Sequence, residues 1–149
     1  MFAKRAAVHR AILPEMEVSD QQLVRDALEA WNRGDWDAVL EHCHPDVEWR
    51  TAAQLLDLPP VSYGHDGVRE FWRLWTDSWT NIRAEVEEVI PVARGLLVLI
   101  RWRARSTAGV DVDQPVAFHF ELRDHKVTRF VSYWERPLAF EALGISARS

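Results

Sequence analysis

Val116-Ala-Phe-His-Phe-Glu-Leu-Arg-Asp-His-Lys-Val-Thr-Arg-Phe-Val-Ser-Tyr-Trp-Glu-Arg-Pro-Leu-Ala-Phe-Glu-Ala-Leu-Gly144 is the stretch that decides the fold class. Two runs of alternating β-branched and aromatic residues flank a polar turn at Arg123, Asp124 and His125, the pattern of a β-hairpin. The second run ends at Glu135; Pro137 then opens a short helix and Gly144 closes it. A curved hairpin with a terminal helix can build one wall of a cavity, which the upstream chain would close.

Immediately upstream the period is also two. Residues 82–91 read as a strand with an irregularity near Pro91, and residues 96–107 and 111–122 read as two longer strands joined around Gly109. Further upstream the period changes to helical. Ser19 to Gln22 has the form of a capping box, and Leu23, Ala27, Ala30 and Trp31 follow at helical spacing until Gly34. Asp35 caps a second helix carrying Trp36, Val39 and Leu40, which ends by Pro45. Residues 46–50 form a short strand. Residues 51–63 form a loop with Leu55, Leu56, Leu58, Pro59 and Pro60, either the rim of a site or a plug for the core. A third helix over residues 68–79 carries the stripe Val68, Phe71, Trp72, Trp75 and Trp79. The order predicts an α+β domain over residues 18–146, with helices on one face of a strongly curved antiparallel sheet. Residues 1–17 read as a basic, weakly amphipathic arm, with Met16 as the start of the folded part.

Composition narrows the function classes. The 149 residues suffice for one core. The charge of −5, from 18 basic and 23 acidic residues, disfavours nucleic acid and anionic membranes as partners. Cys43 is the only cysteine, so no internal disulfide forms, and a reducing, cytoplasmic setting is expected. His42-Cys43-His44 lacks the i, i+4 spacing of a helical metal site, and no metal or cofactor is expected. Eight tryptophans in so small a domain point to an aromatic-lined cavity, an aromatic interface or a bulky core.

Alternation sorts the last three strands into two faces. The apolar face holds Trp102, Phe118, Phe120, Phe130, Ser132 and Trp134, together with Val98, Ile100, Ala104, Val116, Leu122 and Thr128. It should meet the helices. The other face carries Leu97, Leu99, Arg101, Arg103, Arg105, Ala117, His119, Glu121, Val127, Arg129, Val131, Tyr133 and Glu135. Tyr and Arg give that face the mixed character of a subunit interface, and a homodimer packed sheet to sheet is expected. A bulge would turn part of a strand over and bring Arg101, His119 or Tyr133 inward.

Between Ser19 and Ile145 the chain resembles the SnoaL-like polyketide cyclase family of the nuclear transport factor 2-like superfamily. The likeness rests on Trp31-Asn-Arg-Gly-Asp-Trp-Asp-Ala-Val-Leu40, His44-Pro-Asp-Val-Glu-Trp49, Tyr63-Gly-His-Asp-Gly-Val-Arg-Glu-Phe-Trp72 and the ending from Val127 to Gly144. It implies a cone: three N-terminal helices and a curved antiparallel sheet around a deep pocket, a short C-terminal helix, and commonly a dimer. A shared fold does not settle activity. Isomerase chemistry on this fold uses a carboxylate base with Tyr and protonated Asp donors. The resemblance puts Trp49, Ala27 and Phe118 at those three positions, which argues against steroid-isomerase activity. Arg101 to Arg105 supplies arginines without the Asp partner that the epoxide-hydrolase pattern needs.

Three functions are consistent with these residues. The first is a cofactor-free cyclase, isomerase or dehydratase acting on a hydrophobic, oxygenated small molecule through one acid/base group. Its candidates are His65 and Tyr63, with Arg101 and His119 if the register shifts. The second is a non-catalytic binder of such a molecule, lined by Trp31, Trp49, Phe71, Trp75, Trp102, Phe118, Phe120, Phe130, Ser132 and Trp134. The third is a dimeric interaction module whose interior is filled by its own side chains.

Overall fold

The computed structural model describes residues 8–51 and 58–146, with side chains from residue 19 onward. The chain forms α1 (Val8–Asn32), α2 (Trp36–Glu41), β1 (Cys43–Thr51), β2 (Val61–Tyr63), α3 (Gly64–Thr76), β3 (Trp79–Val92), β4 (Gly95–Ser106), β5 (Asp111–Arg123), β6 (Lys126–Tyr133) and α4 (Arg136–Leu143). The six strands make one sheet in the order β2-β1-β6-β5-β4-β3.

Several features depart from the sequence reading. The sheet is mixed, because β1 runs parallel to β6; a strand reached only after two helices is free to enter in either direction. The short β2 adds antiparallel to β1 and was not foreseen in the loop. Helix α1 runs through Ser19 instead of starting there. Helix α3 stops at Thr76, so Trp79 opens β3 opposite Ser106 rather than ending a helical stripe. Of the expected arm, residues 1–7 lie outside the described residues and residues 8–17 belong to α1. Residues 52–57 of the apolar loop, Leu55 and Leu56 among them, also lie outside them, while Leu58 packs on the core.

The α1–α2 turn follows its sequence signals. Gly34 takes φ +75° and the Asp35 carboxylate accepts from the Ala38 N–H at 3.1 Å. Asn32 then ties this pair to the sheet. Its side-chain amide donates to the Ala84 carbonyl at 2.9 Å and accepts from the Ala84 N–H at 2.8 Å, satisfying both backbone groups of a buried residue.

The β4–β5 register is continuous from Leu96↔Phe120 to Arg105↔Asp111. It sends Val98, Ile100, Trp102, Val116 and Phe120 into the main core beneath the helices, as alternation predicts. A bulge does interrupt β5–β6, between Glu121↔Arg129 and Leu122↔Val127. The extra residue is Thr128, whose hydroxyl donates to the Glu121 carbonyl at 3.1 Å. Its effect is confined to Val127, expected outside and found buried in the main core. Arg101, His119 and Tyr133 stay on the outer face.

That outer face is divided. Helix α4 covers one part, setting Ala139 and Phe140 on Ile90, Leu97, Leu99 and Ala117. Thus α4 packs opposite the other helices, and the terminal helix does not wall the interior. The rest carries interleaved charge. Arg101 and Arg103 reach Asp113 at 3.2 and 3.3 Å, Arg105 reaches Asp111 at 2.9 Å, and Arg103 also pairs with Glu85. Arg129 bridges Glu48 and Glu121 at 3.1 and 3.0 Å, and Arg136 pairs with Glu87. The Arg50 hydrogen bond holds the Glu48 carboxyl below its ordinary value of 4.5 against the opposing effect of burial, with Arg129 adding to the depression. The Arg136 hydrogen bond, joined by Arg101, does the same for Glu87.

Two predictions follow from the sheet. Gly95 has φ +95°, and a Cβ there would sit 1.9 Å from the Phe120 carbonyl oxygen. Gly95→Ala should therefore cost about 3 kcal/mol or more and lower the melting temperature by roughly 10 °C, read by circular dichroism. An unchanged melting curve would contradict the close approach. The second concerns acid. Because the folded-state values of Glu48 and Glu87 are depressed, their contribution is complete above the ordinary value of 4.5 and disappears as pH falls below it. The melting temperature should drop through that range, and drop less in a Glu48→Gln, Glu87→Gln double variant. Parallel pH profiles would remove these two groups from the account.

Candidate functional site

Between the helices and the inner sheet face lies a cavity of about 90 Å³. Its floor is built in rows across the sheet. Trp49 of β1, Phe130 of β6 and Phe120 of β5 are register partners and form the first row. Trp49 stacks on Phe130 at 3.8 Å between centroids, and Phe120 meets Phe130 edge to face at 5.1 Å. Thr51, Ser132 and Phe118 form the second row. In the third, Trp102 of β4 is paired with Gln114, whose side chain donates to the Trp134 carbonyl at 3.1 Å.

The helices close the roof. Helix α1 contributes Ala27, Leu28 and Trp31, α2 contributes Val39, and α3 contributes Phe71, Trp72 and Trp75. Cys43 and Val127 complete the lining at the end where β1 and β6 begin. Buried residues surround that inner end, whereas Thr51, Trp75, Ser132 and Trp134 at the other end are half-buried, as are Trp31, Trp49 and Phe118 of the lining; we take the mouth to lie at the end of Thr51 and Ser132. Indoles dominate the walls. Trp75, Trp102 and Trp134 touch one another at 4.9 to 6.3 Å, with Trp79 behind Trp75 and Trp102. Trp72 sits against Trp31, Trp36 and Trp49 at 5.3 to 5.6 Å. Its Nε1–H is buried and has no hydrogen-bond partner among the described residues.

All ten residues that the sequence assigns to an aromatic pocket line this cavity. Sequence reasoning missed Ala27, Leu28, Val39, Cys43, Thr51, Trp72 and Val127 as lining residues. Trp72 was legible in the α3 stripe; Thr51 carried no signal, because its facing depends on pairing with a strand 81 positions away.

The four acid/base candidates lie elsewhere. Tyr63 is 63% exposed at the N-cap of α3. His65 Nε2 is 3.1 Å from the Cys43 carbonyl, and since a carbonyl only accepts, that nitrogen carries the proton. The ring thereby pins α3 to the start of β1. Arg101 belongs to the outer ladder, held by Asp113 and Glu87. His119 is buried on the outer face, where Nε2–H donates to the Arg94 carbonyl at 2.6 Å and anchors the β3–β4 turn.

Other polar candidates are also accounted for. Cys43 and His44 lie in β1 rather than in the last turn of α2, and His42 is the C-cap of that helix. His44 Nδ1 accepts from the Asp46 N–H at 3.0 Å. Burial pushes the Cys43 thiol up to about 12, so it stays protonated and is no nucleophile near neutral pH. Glu135 stands at the N-cap of α4 but makes no side-chain cap. Among the described residues no three of His, Cys, Asp and Glu converge in a way that would hold a metal ion, and no helix is long and apolar enough to cross a membrane. The chemistry of the lining is accordingly simple: apolar and aromatic walls, two hydroxyls at Thr51 and Ser132, one protonated thiol, and indole N–H donors.

Comparison with known proteins agrees with the architecture. The family model of the SnoaL-like domain matches residues 24–130. A structure of an NTF2-like protein of unknown function from Burkholderia pseudomallei is similar with a TM-score of 0.74 and 22% identity, covering 84% of this chain and 97% of that one. TerC, co-crystallised with polyporic acid, is similar with the same TM-score, identity and coverage. A Mycobacterium tuberculosis protein in complex with estradiol-17beta-hemisuccinate is similar with a TM-score of 0.68 and 13% identity, covering 78% of this chain and 94% of that one. No curated protein matches the sequence. At these identities the structural likenesses speak for the fold.

Proposed function

This chain belongs to the SnoaL-like domain family, and we propose on that premise that it binds a compact, hydrophobic, oxygenated small molecule without transforming it. The observation that carries this reading is the lining of the cavity. Among the described residues it holds no carboxylate, imidazole, phenol, amine or guanidinium. Acid/base catalysis requires such a group within hydrogen-bond reach of the substrate. The positions where the resemblance would put an isomerase's base and donors are Trp49, Ala27 and Phe118, all three in the lining. Among the described residues the enzymatic reading, a cofactor-free cyclase or isomerase, therefore finds no proton carrier in the lining, and His65, Tyr63, Arg101 and His119 have structural or surface roles in our account.

Size limits the ligand. About 90 Å³ is below the roughly 300 Å³ at which drug-sized sites begin, and below the engineered cavity of about 150 Å³ that takes up benzene. A ring-sized ligand would enter only with some movement of the half-buried indoles at the mouth, Trp75 and Trp134. Two of the similar proteins were crystallised with polyporic acid and with a steroid ester, both oxygenated ring compounds, which supports the ligand class and not the ligand. A single buried, unreactive cysteine suits the reducing cytoplasmic setting we assign.

Titration with monocyclic phenols and ketones should quench tryptophan fluorescence saturably, and mass spectrometry should recover each ligand unchanged. Ala27→Leu, which fills the space from α1, should weaken binding at least ~10-fold, about 1.4 kcal/mol. Absence of saturable quenching would overturn the binding reading. Turnover that Ala27→Leu abolishes would restore catalysis to the cavity.

We also place a second copy of the chain against the outer sheet face. The alternating arginines and carboxylates there can meet their own two-fold image with opposite charges facing. Sedimentation should show a dimer that weakens as salt rises; a monomer at all salt concentrations would refute this arrangement.

A further inference from the structure

We infer that the hydroxyls of Thr51 and Ser132 are the polar anchor of the cavity, selecting a neutral ligand no larger than a single ring that carries one hydroxyl or carbonyl oxygen. The inference rests on the binding reading above and names what that site recognises. Thr51 and Ser132 are direct register partners on the parallel strands β1 and β6, so their side chains leave the sheet side by side on its inner face. Both line the cavity, and both are half-buried at its mouth. Phe118 continues the same row, and Trp49 and Phe130 occupy the row behind.

The Ser132 hydroxyl has no hydrogen-bond partner among the described residues. Each hydroxyl offers one donor and two acceptor sites, so the pair can receive a carbonyl or a hydroxyl oxygen equally well. Neither can neutralise a charge, and no cationic or anionic side chain in the described lining would do so. The surrounding apolar wall therefore admits the ligand body, while the hydroxyl pair fixes which end faces the mouth.

Calorimetric titration with phenol, toluene and benzoate separates this inference from the reading beneath it. Phenol and toluene have the same shape and differ by one oxygen; benzoate carries a charge. Wild type should bind phenol and toluene and should not bind benzoate. In the Thr51→Val, Ser132→Ala double variant, phenol should weaken ~10-fold while toluene stays within about 2-fold, and Thr51→Ser should retain wild-type phenol affinity. Near-unchanged phenol affinity in the double variant, or equal losses for phenol and toluene, would overturn the anchor and leave the cavity as an unselective apolar site. Failure of wild type to bind either neutral ring would overturn the binding reading and the anchor together.

Discussion

Everything in the interior depends on one register. Ten consecutive pairs join β4 to β5 with no irregularity. Because side chains alternate with period two, that uninterrupted ladder decides which residues meet the helices and which meet solvent. A slip of one residue on β5 would turn Phe118 and Phe120 outward and bring Ala117 and His119 inward. The devices that hold the ladder lie at the β3–β4 turn. Gly95 lets the turn backbone approach the Phe120 carbonyl more closely than any Cβ would permit, and His119 holds the Arg94 carbonyl from the outer face. A histidine that looks like a catalytic candidate in the sequence therefore helps to position the aromatic floor.

The cavity is what remains when flat rings meet at steep angles. Most of the indole and phenyl contacts around it are tilted or edge to face, and the near-parallel stacking of Trp49 on Phe130 is the tightest of them. Edge-to-face packing suits the ring quadrupoles but leaves wedges of space that aliphatic side chains would fill. The six tryptophans of the lining thus account for both the opening and its small size. Part of the third sequence hypothesis survives here. The interior is partly filled by its own side chains, yet not solid.

Much of the site was legible because its residues obey local periods. The inward set on β4, β5 and β6 follows from alternation, and Phe71 and Trp75 follow from the helical stripe of α3. What was not legible depends on pairing between distant segments. Thr51 becomes a lining residue only because β1 inserts parallel to β6. Val127 turns inward only because Thr128 bulges out of register. Cys43 was read as the end of a helix because helical spacing persisted through Leu40, and only the capture of residues 43–51 by β6 makes it strand. Asn32, which joins α1 to Ala84, carries no signal beyond its position near a helix end.

The separation of polar from apolar groups also bears on function. Among the described residues the ion-paired arginines, glutamates and aspartates lie on the outer sheet face and the surface, where they pair with one another at modest energetic consequence. Among the described residues that line the cavity, Thr51 and Ser132 are the ones that carry hydroxyls. A catalytic site on the same scaffold would need a titratable group moved from the first set to the second, with its desolvation offset by hydrogen-bonding partners. The described lining supplies no such titratable group in charged form: the Cys43 thiol, the one titratable group there, responds to burial by holding its proton. An interior of this kind disfavours charge at every stage of a reaction, whereas it accommodates a neutral ring with one oxygen. The apolar lining that makes a buried charge unfavourable is the same property that makes retention of an uncharged ligand favourable.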